Sequence, residues 1–256
     1  MELGERRLEH DGGGCRHTGA PLEPAPLEPA PLESTPLEST PSETAPLADL
    51  RFRALLGAER WTALPRAVRR RFGKRLDDAR TVTYTGHIVE CRMSGAGWLL
   101  AQLLRPIGGP LPTSRDTGVP AAVVVTEDEA TGGQFWTRVY GRHSGFPRVI
   151  GSSKRFRGPT GLEEYIGHGI GMALAVSADE RALHFDSDHY FLAAGPFRWR
   201  LPGWLTPGAL RVSHVDRGAG RFEFVLALRH PLLGELVRQS ALFADAPVKA
   251  HPRTRG

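Results

Sequence analysis

Polar and apolar residues alternate along residues 132–141, and glycines close both ends of this stretch. A period of two bounded by turn residues is typical of a β-strand. One face of the strand carries two large aromatic side chains beside an arginine: Trp136, Arg138 and Tyr140. The other face is more uniformly apolar and competes for the core: Phe135, Thr137 and Val139. The aromatic face therefore lines either a ligand pocket or an outer surface on which the arginine stacks over the rings.

Similar patterns recur along the chain and predict further strands at 81–92, 119–126, 148–156, 170–176, 181–192, 197–201, 210–216 and 221–229. Residues 232–243 fit a last strand or a helix equally well. Many short strands separated by turns favour an antiparallel sheet. We predict an α+β fold in which a curved antiparallel sheet of about eight to ten strands closes into a barrel or half-barrel around a hollow.

Helical spacing appears near both ends of the first strand. Phe52, Leu55 and Leu56 indicate one N-terminal helix, and Pro65 opens a second helix that carries several arginines. A third helix is predicted from Ser94 to about residue 105, and it is apolar nearly all round, with Trp98 among its members. Such a helix is buried in the core, covers an opening of the barrel as a lid, or contacts lipid. We expect it to pack at one open end of the barrel.

The first 46 residues differ in character from the rest. From Pro21 a five-residue unit recurs, with proline at every fifth position and glutamate in each unit. Proline blocks helix formation and like charges repel, so we expect a disordered leader. The predicted organisation is a leader at 1–46, a single domain at 47–246 and a disordered tail at 247–256. The leader is either a spacer or docking arm, or a neutral expansion of a repeat.

Charge is distributed unevenly. Residues 1–50 contain three basic and ten acidic residues, so the remainder contains 30 basic and 18 acidic residues. A basic domain suggests nucleic acid or an anionic surface, but arginine outnumbers lysine so strongly that coding bias of a GC-rich genome explains the excess better. Two distant cysteines imply no disulfide framework. With no secretory signal and no apolar run long enough to span a bilayer, we expect a cytoplasmic protein.

A polar cluster falls on the predicted strand at 181–192. His184, Asp186 and Asp188 share one face at alternate positions, and Tyr190 extends the row. A metal ion or a general base would use such residues only if a neighbouring strand or a cleft completed the site. The alternative is the polar outer face of a half-exposed strand. We therefore predict no metal site, although these residues remain candidates for ligand binding.

Motifs for the common catalytic machineries are absent from the sequence. No Gly-x-Ser-x-Gly elbow, Cys-x-x-Cys pair or Walker-type phosphate loop occurs. The glycines at 167–171 do not form a dinucleotide fingerprint, because the third glycine is not at the required spacing and no helix is predicted after it. We expect no cofactor.

Several short motifs together resemble the bacterial family called domain of unknown function 4166. The motifs are 52–57 and Leu64-Pro65, the strand at 134–141, and the late segments 204–207, 220–224 and 231–234. The similarity extends from about residue 47 to residue 245. Members of that family often follow an NAD-binding dehydrogenase-like domain, a position that the repeat leader takes in this chain. The resemblance therefore implies an NAD-dependent oxidoreductase as a partner, and it implies no catalytic residue.

Three functions are compatible with these observations. The leading hypothesis is binding of a hydrophobic or amphipathic small molecule inside the barrel, with peripheral membrane contact near Trp98. The alternative is an enzyme or accessory subunit that uses His184 and Asp186 with a separate dehydrogenase-like protein. Nucleic-acid binding would require the arginines at 66–75 to be continuous with Arg155 and Arg157, and we expect no specific nucleic-acid partner.

Overall fold

The computed structural model describes residues 49–75, 81–195 and 197–245. The predicted leader and tail lie outside these residues. The described chain contains short helices and a single large sheet. The helices are α1 (Arg51–Leu56), α2 (Ala58–Ala63), α3 (Arg66–Phe72) and α4 (Gly95–Leu103), with 3₁₀ turns at Arg105–Ile107 and Gly203–Leu205.

Eleven strands form the sheet, and every paired neighbour is antiparallel. They are β1 (Thr81–Met93), β2 (Pro120–Asp128), β3 (Gly133–Tyr140), β4 (Arg148–Arg155), β5 (Glu163–Gly167), β6 (Ile170–Ala178), β7 (Ala182–Ala194), β8 (Phe197–Arg200), β9 (Ala209–Gly218), β10 (Arg221–His230) and β11 (Gly234–Ala244). The predicted curved antiparallel sheet is confirmed, and helices form only a small part of the structure.

Ten of these strands close into an up-and-down barrel. Strands β1 to β7 pair in sequence, β7 pairs with β9, and β9, β10 and β11 follow in order. The ring is completed where β11 pairs with β1, from Thr85 opposite Ala244 to Met93 opposite Val237. Strand β8 lies outside the ring as an extension beside the end of β7. The segment that fitted a strand or a helix equally well is therefore the strand that closes the barrel.

Helices α1–α3 cover one end of the barrel, which we call the plugged end. Phe52 of α1 and Phe72 of α3 meet edge to face, with ring centroids 5.3 Å apart. Phe52 also contacts Phe185 of β7 at 6.0 Å. Arg71 of α3 is almost fully buried, and its Nε lies 2.8 Å from the Oδ1 of Asp245, which follows β11. At least one of the arginines of α3 therefore binds the helix to the barrel through an ion pair.

Helix α4 lies at the opposite end of the barrel, which we call the α4 end. Ser94 caps the helix, because its Oγ accepts a hydrogen bond from the backbone N–H of Gly97 at 3.1 Å. A Cβ atom at Gly97 would lie 2.0 Å from the carbonyl oxygen of Leu236, so the helix backbone rests directly on β11. Trp98 is 47% exposed and Leu103 is 67% exposed. The interpretation of this segment as a core helix is therefore wrong.

A span across a membrane needs about 20 consecutive apolar residues in one helix. None of the helices in the described ranges reaches that length and apolarity.

Candidate functional site

The aromatic face of β3 points into the barrel. Trp136 is buried, whereas Phe135 on the opposite face is 44% exposed. Trp136 lies directly opposite Val125 of β2 and Ser152 of β4, so these residues share the inner face. Arg138 and Tyr140 follow on the same face at alternate positions. The hypothesis of an outward-facing Trp136 is therefore wrong, although the other face of β3 is the more uniformly apolar.

A cluster of buried charges lies beside Trp136. Lys154 of β4 and Glu164 of β5 are directly opposed residues, and Lys154 Nζ lies 2.7 Å from Glu164 Oε2. Arg138 donates a hydrogen bond from Nη2 to Ser152 Oγ at 2.9 Å, and the same nitrogen lies 3.7 Å from Glu164 Oε1. The side chains of Lys154 and Glu164 are more than nine-tenths buried. The cluster thus joins three adjacent strands inside the barrel.

Burial and Coulombic attraction act against each other on these groups. Burial alone would raise the pKa of Glu164, but Lys154 and Arg138 outweigh it and lower the pKa to about 2. Burial lowers the pKa of Lys154, and Arg138 acts in the same direction while Glu164 opposes both. The 2.7 Å contact and the low pKa of Glu164 describe an ion pair with an ionised carboxylate.

The positive charge in this cluster is not fully balanced. Arg138 and Lys154 contribute two positive charges, and Glu164 contributes the single negative charge among the described residues that line the cavity. The Nε of Arg138 is buried and has no hydrogen-bond partner in the described part of the chain. An uncompensated buried charge is costly. The interior is therefore an electrostatically favourable place for one anion.

The walls around the charges are mainly apolar. The cavity has a volume of about 50 Å³, enough for a few water molecules. Lys154 Nζ lies 5.0 Å from the ring centroid of Trp136 and 5.6 Å from that of Phe185, which are cation–π distances. The residues lining this central cavity are Val123, Trp136, Arg138, Tyr140, Lys154, Glu164, Phe185, Val212, Phe224, Leu226, Gln239 and Ala241.

Two smaller cavities flank the central one. Towards the plugged end, Trp136 and Phe224 separate it from a cavity of about 30 Å³. Towards the α4 end, Tyr140 and Gln239 separate it from a cavity of about 20 Å³ that borders the segment 112–119. The expected hollow inside the barrel is present only as small, separate spaces. The barrel interior is instead a row of narrow cavities divided by side chains.

Arginines surround the cavity at the α4 end. Arg142, Arg148 and Asp116 line it, and Arg142 Nε lies 3.9 Å from Asp116 Oδ2. Arg148 donates a hydrogen bond from Nη2 to the carbonyl oxygen of Gly109 at 3.3 Å. Burial lowers the pKa of Arg148, and the positive charges of Arg105 and Arg142 lower it further. Positive charge thus extends from this end of the barrel to the central cluster.

The cavity at the plugged end contains a buried histidine. His214 of β9 stacks on Phe222 with ring centroids 4.5 Å apart and meets Phe72 edge to face at 5.0 Å. Neither ring nitrogen has a hydrogen-bond partner among the residues that the structure describes. Burial lowers the pKa of His214 to about 3, and the charge of Arg71 acts in the same direction. His214 is therefore a neutral aromatic component of the core.

The polar cluster of β7 does not line this interior. His184 lies 3.0 Å from Asp179 Oδ2 through Nε2 and 2.8 Å from Ser213 Oγ through Nδ1. Asp186 accepts a hydrogen bond from Arg211 Nε at 2.5 Å. Both residues are on the face opposite Phe185, which lines the central cavity. Their polar atoms are thus engaged on the outside of the barrel.

A β-bulge interrupts the end of that polar row, at Asp188 and Tyr190. Ser187 and His189 of β7 oppose the consecutive residues Leu174 and Ala173 of β6, so Asp188 is an extra, bulged residue. The bulge reverses the alternation, and Tyr190 is buried opposite Met172. Burial raises the pKa of Tyr190 to about 12. The four residues therefore do not share one face.

The candidate residues thus fall into separate places. Trp136, Arg138 and Tyr140 line the central cavity, whereas Trp98 lies on α4 at the end of the barrel. No group of three or more His, Cys, Asp or Glu side chains within residues 49–75, 81–195 and 197–245 is arranged to hold a metal ion.

Sequence reasoning missed Lys154, Glu164 and Gln239 as cavity residues. One signal was available for Lys154, because the chain has only three lysines and this one follows two serines in a predicted strand. Glu164 lies in a short segment whose inner face the sequence does not identify. Gln239 lies in the segment that fitted two kinds of secondary structure.

Comparison with known proteins gave one match, to the model of a protein family. The model of the family described as Domain of unknown function (DUF4166) matches residues 64–243. This match covers most of the barrel, including β1 to β10 and nearly all of β11. Searches of curated proteins and of solved structures found no match.

Proposed function

We propose a function on the following premise: the chain belongs to the family described as Domain of unknown function (DUF4166), whose model covers the barrel. The barrel binds a small amphipathic anion that has a slender apolar body and one carboxylate or similar head group. The head group contacts Arg138 and Lys154, and the apolar body lies against Trp136, Phe185 and their neighbours.

The unbalanced charge inside the barrel carries this proposal. Arg138 and Lys154 face a single carboxylate, Glu164, within a mainly apolar cavity. An arginine presents several donors in a plane, and the Nε of Arg138 has no partner among the described residues. A bound carboxylate would neutralise the excess charge and accept hydrogen bonds from Arg138. A neutral ligand such as an ester could accept a hydrogen bond from Arg138 but would leave the excess charge in place.

Cavity dimensions limit the ligand to a narrow molecule. The central volume of about 50 Å³ accommodates only part of a hydrocarbon chain, so a longer ligand must displace side chains. Tyr140 and Gln239 separate the central cavity from the one at the α4 end. Rotation of these two side chains would join the cavities and provide an entry route past Arg148.

Calorimetric titration of the full chain with a carboxylate series from hexanoate to palmitate tests the proposal. We expect binding with an optimum at intermediate length and much weaker binding of the matching methyl esters, since an ester cannot neutralise Arg138. In Arg138→Met the affinity for the carboxylate should fall by about tenfold or more, because a hydrogen bond to a charged group is lost.

Arg211→Met provides the matched control. Arg211 of β9 pairs with Asp186 on the outside of the barrel, so its replacement removes an arginine of the barrel wall without altering the cavity. Carboxylate affinity should stay at the wild-type level in this variant. Equal affinity for esters and carboxylates, or equal loss in both variants, would contradict the proposed head-group site.

The alternative of an enzyme or accessory subunit acting with a separate NAD-dependent dehydrogenase-like protein has no geometric support. His184 and Asp186 bond to Asp179, Ser213 and Arg211 on the outer face, and within the described part of the chain they form no cleft with the central cavity. Binding of an amphipathic anion is the better-supported function, because its residues converge in one buried place.

A further inference from the structure

Large apolar side chains are exposed mainly at the α4 end of the barrel. Phe146 in the β3–β4 connection is 91% exposed, Leu232 in the β10–β11 turn is 88% exposed, and Trp204 between β8 and β9 is 80% exposed. Trp98 and Leu103 of α4 are about half exposed or more. We call these five residues the apolar rim. Isolated exposed apolar residues are ordinary, but a concentration of them at one end marks an interaction surface.

Strand topology places the rim residues at the same end. Because all neighbouring strands are antiparallel, the connections alternate between the two ends of the barrel. Contacts support this placement, since Gly97 of α4 rests on Leu236 at the start of β11, directly after the turn that carries Leu232. Pro231 of that turn lines the same surface recess as Gly203, which precedes Trp204.

The connections at this end, together with α4 and the outer strand β8, are also strongly basic. Residues 94–119, 141–147, 168–169, 195–208 and 231–233 contain five arginines and a single acidic residue, Asp116. The arginines are Arg105, Arg115, Arg142, Arg198 and Arg200. Two of them have carboxylate partners, since Arg142 lies 3.9 Å from Asp116 and Arg198 pairs with Glu163 of β5 at 2.5 Å. Tryptophan and leucine at the tips of loops, with arginines behind them, match the two layers of an anionic bilayer surface.

We infer that the apolar rim docks on the surface of an anionic lipid bilayer. The rim side chains enter the boundary between head groups and acyl chains, while the arginines contact lipid phosphates and carboxylates. Arginines near such a surface are attracted to it, and several of them together with apolar burial support reversible binding. The inference depends on exposed side chains and requires no ligand inside the barrel.

A second copy of the chain fits this surface less well than lipid does. Two copies meeting rim to rim would bring five arginines against five arginines, with Asp116 and Glu163 as their carboxylate partners on each side. Positive charge therefore remains in excess on both copies. Like charges facing each other across an interface oppose association. An anionic bilayer instead supplies the opposite charge together with an apolar layer.

Docking would place the mouth of the barrel against the lipid. The cavity at the α4 end borders residues 112–119 and is lined by Arg142 and Arg148, which belong to the same end as the rim. An amphipathic anion leaving the bilayer would therefore meet positive charge first and apolar walls next.

Vesicle co-sedimentation of the full chain, without added ligand, tests the inference. We expect binding to phosphatidylcholine vesicles that contain phosphatidylserine, weaker binding to phosphatidylcholine alone, and loss of binding as salt is raised. The double substitution Trp204→Ser with Leu232→Ser should reduce binding by roughly tenfold or more, since two large apolar side chains no longer enter the lipid.

Two control variants separate the rim from other effects. Leu50→Ser removes an exposed apolar side chain at the plugged end, where Leu50 is 59% exposed, and should leave vesicle binding unchanged. Arg138→Met alters the central cavity and should also bind vesicles normally, so failure of the small-molecule site would not imitate failure of membrane docking. Circular dichroism confirms that each variant is folded.

Three results would overturn the inference. One is no vesicle binding by the wild-type chain at low salt. Another is equal binding by the wild-type chain and the folded rim variant. The third is a lipid-free oligomer that the rim substitutions dissociate, because that result would assign the rim to contact between protein copies.

Discussion

Lys154 and Glu164 lie directly opposite each other on β4 and β5, with Nζ and Oε2 2.7 Å apart inside the barrel. They are ten residues apart in sequence, and the connection between the two strands places them in register. Arg138 of β3 approaches the other oxygen, Oε1, of the same carboxylate. This arrangement leaves one positive charge in excess and defines the proposed binding site.

Replacing Glu164 by glutamine should destabilise the fold strongly. Removal of one partner leaves Lys154 and Arg138 as unpaired buried charges, and breaking a buried pair in this way typically costs about 3–5 kcal/mol. Urea unfolding at neutral pH, followed by tryptophan fluorescence, measures the change in the free energy of unfolding.

The double replacement Lys154→Met with Glu164→Leu is the matched comparison. It removes both charges and leaves apolar side chains of similar size, so its stability should lie well above that of the single variant. If the double variant is as unstable as Glu164→Gln, packing at these positions rather than the uncompensated charge is responsible.

His214 should make the protein sensitive to acid between pH 6.5 and about 3. Its pKa is about 3 in the folded protein and 6.5 as an ordinary histidine, so the unfolded chain binds a proton that the folded chain does not. The free energy of unfolding therefore falls with decreasing pH in this window, by at most about 1.4 kcal/mol per pH unit.

His214→Phe should remove most of this pH dependence above pH 4.5. Below that pH the unfolded chain also protonates Glu164, whose ordinary pKa is 4.5, so a second group contributes to the pH dependence. The new ring keeps the stacking on Phe222 and buries no unpaired nitrogen. Denaturant unfolding at a series of pH values compares the two proteins. Parallel pH profiles for wild type and variant would show that His214 is not the source. His214→Leu serves the same purpose should phenylalanine prove too large.

Two glycines of α4 should respond oppositely to alanine. A Cβ atom at Gly97 would lie 2.0 Å from the Leu236 carbonyl oxygen, so Gly97→Ala should displace the helix and cost about 1–3 kcal/mol. A Cβ atom at Gly95 would meet no heavy atom within 4 Å apart from its chain neighbours and the backbone of its own helix. Gly95→Ala should therefore stabilise the helix by up to about 1 kcal/mol. Thermal unfolding of both variants measures the difference; the same sign for both would contradict close seating on β11.

Asp245 should contribute more stability than an exposed acidic residue. Burial alone would raise its pKa, but hydrogen bonds from Arg71 and the nearby charges outweigh burial and lower it. Asp245→Asn should cost about 1.5–3 kcal/mol at neutral pH. Because its pKa is depressed, this contribution is present above the ordinary aspartate pKa and disappears as the pH falls through the folded value.

Asp186→Asn is the appropriate control for that experiment. Asp186 and Arg211 form an exposed pair, which contributes at most about 1 kcal/mol. Chemical unfolding at neutral and acidic pH compares the two variants. An Asp245 variant as stable as the Asp186 variant would mean that α3 is not held by this contact.

Alternation along the sequence predicted the strands but not always their inner faces. On β3 the more uniformly apolar face, with Phe135 and Val139, points outward, while Trp136 points inward. The direction depends on what the neighbouring strands supply, and here they supply Val125 and Lys154 to the interior. A single strand does not contain that information.

Local sequence patterns also could not predict the closure of the barrel by β11 or the β-bulge in β7. Residues 232–243 fit two kinds of secondary structure, and the choice of a strand depends on pairing with both β1 and β10, which lie far apart in sequence. One extra residue at Asp188 moves Tyr190 to the other face. The pair of Lys154 with Glu164 likewise requires a register that only the folded hairpin defines.

The most direct test of the central claim observes the head group inside the barrel. Decanoate labelled with ¹³C at its carboxyl carbon can be titrated by NMR while bound to the full chain. The proposed site predicts a bound carboxylate whose pKa lies below that of free decanoate, because Arg138 and Lys154 favour the ionised form, and predicts that Arg138→Met reverses most of this shift. A bound carboxyl group that titrates as it does in water, or the absence of any bound signal, would contradict the account.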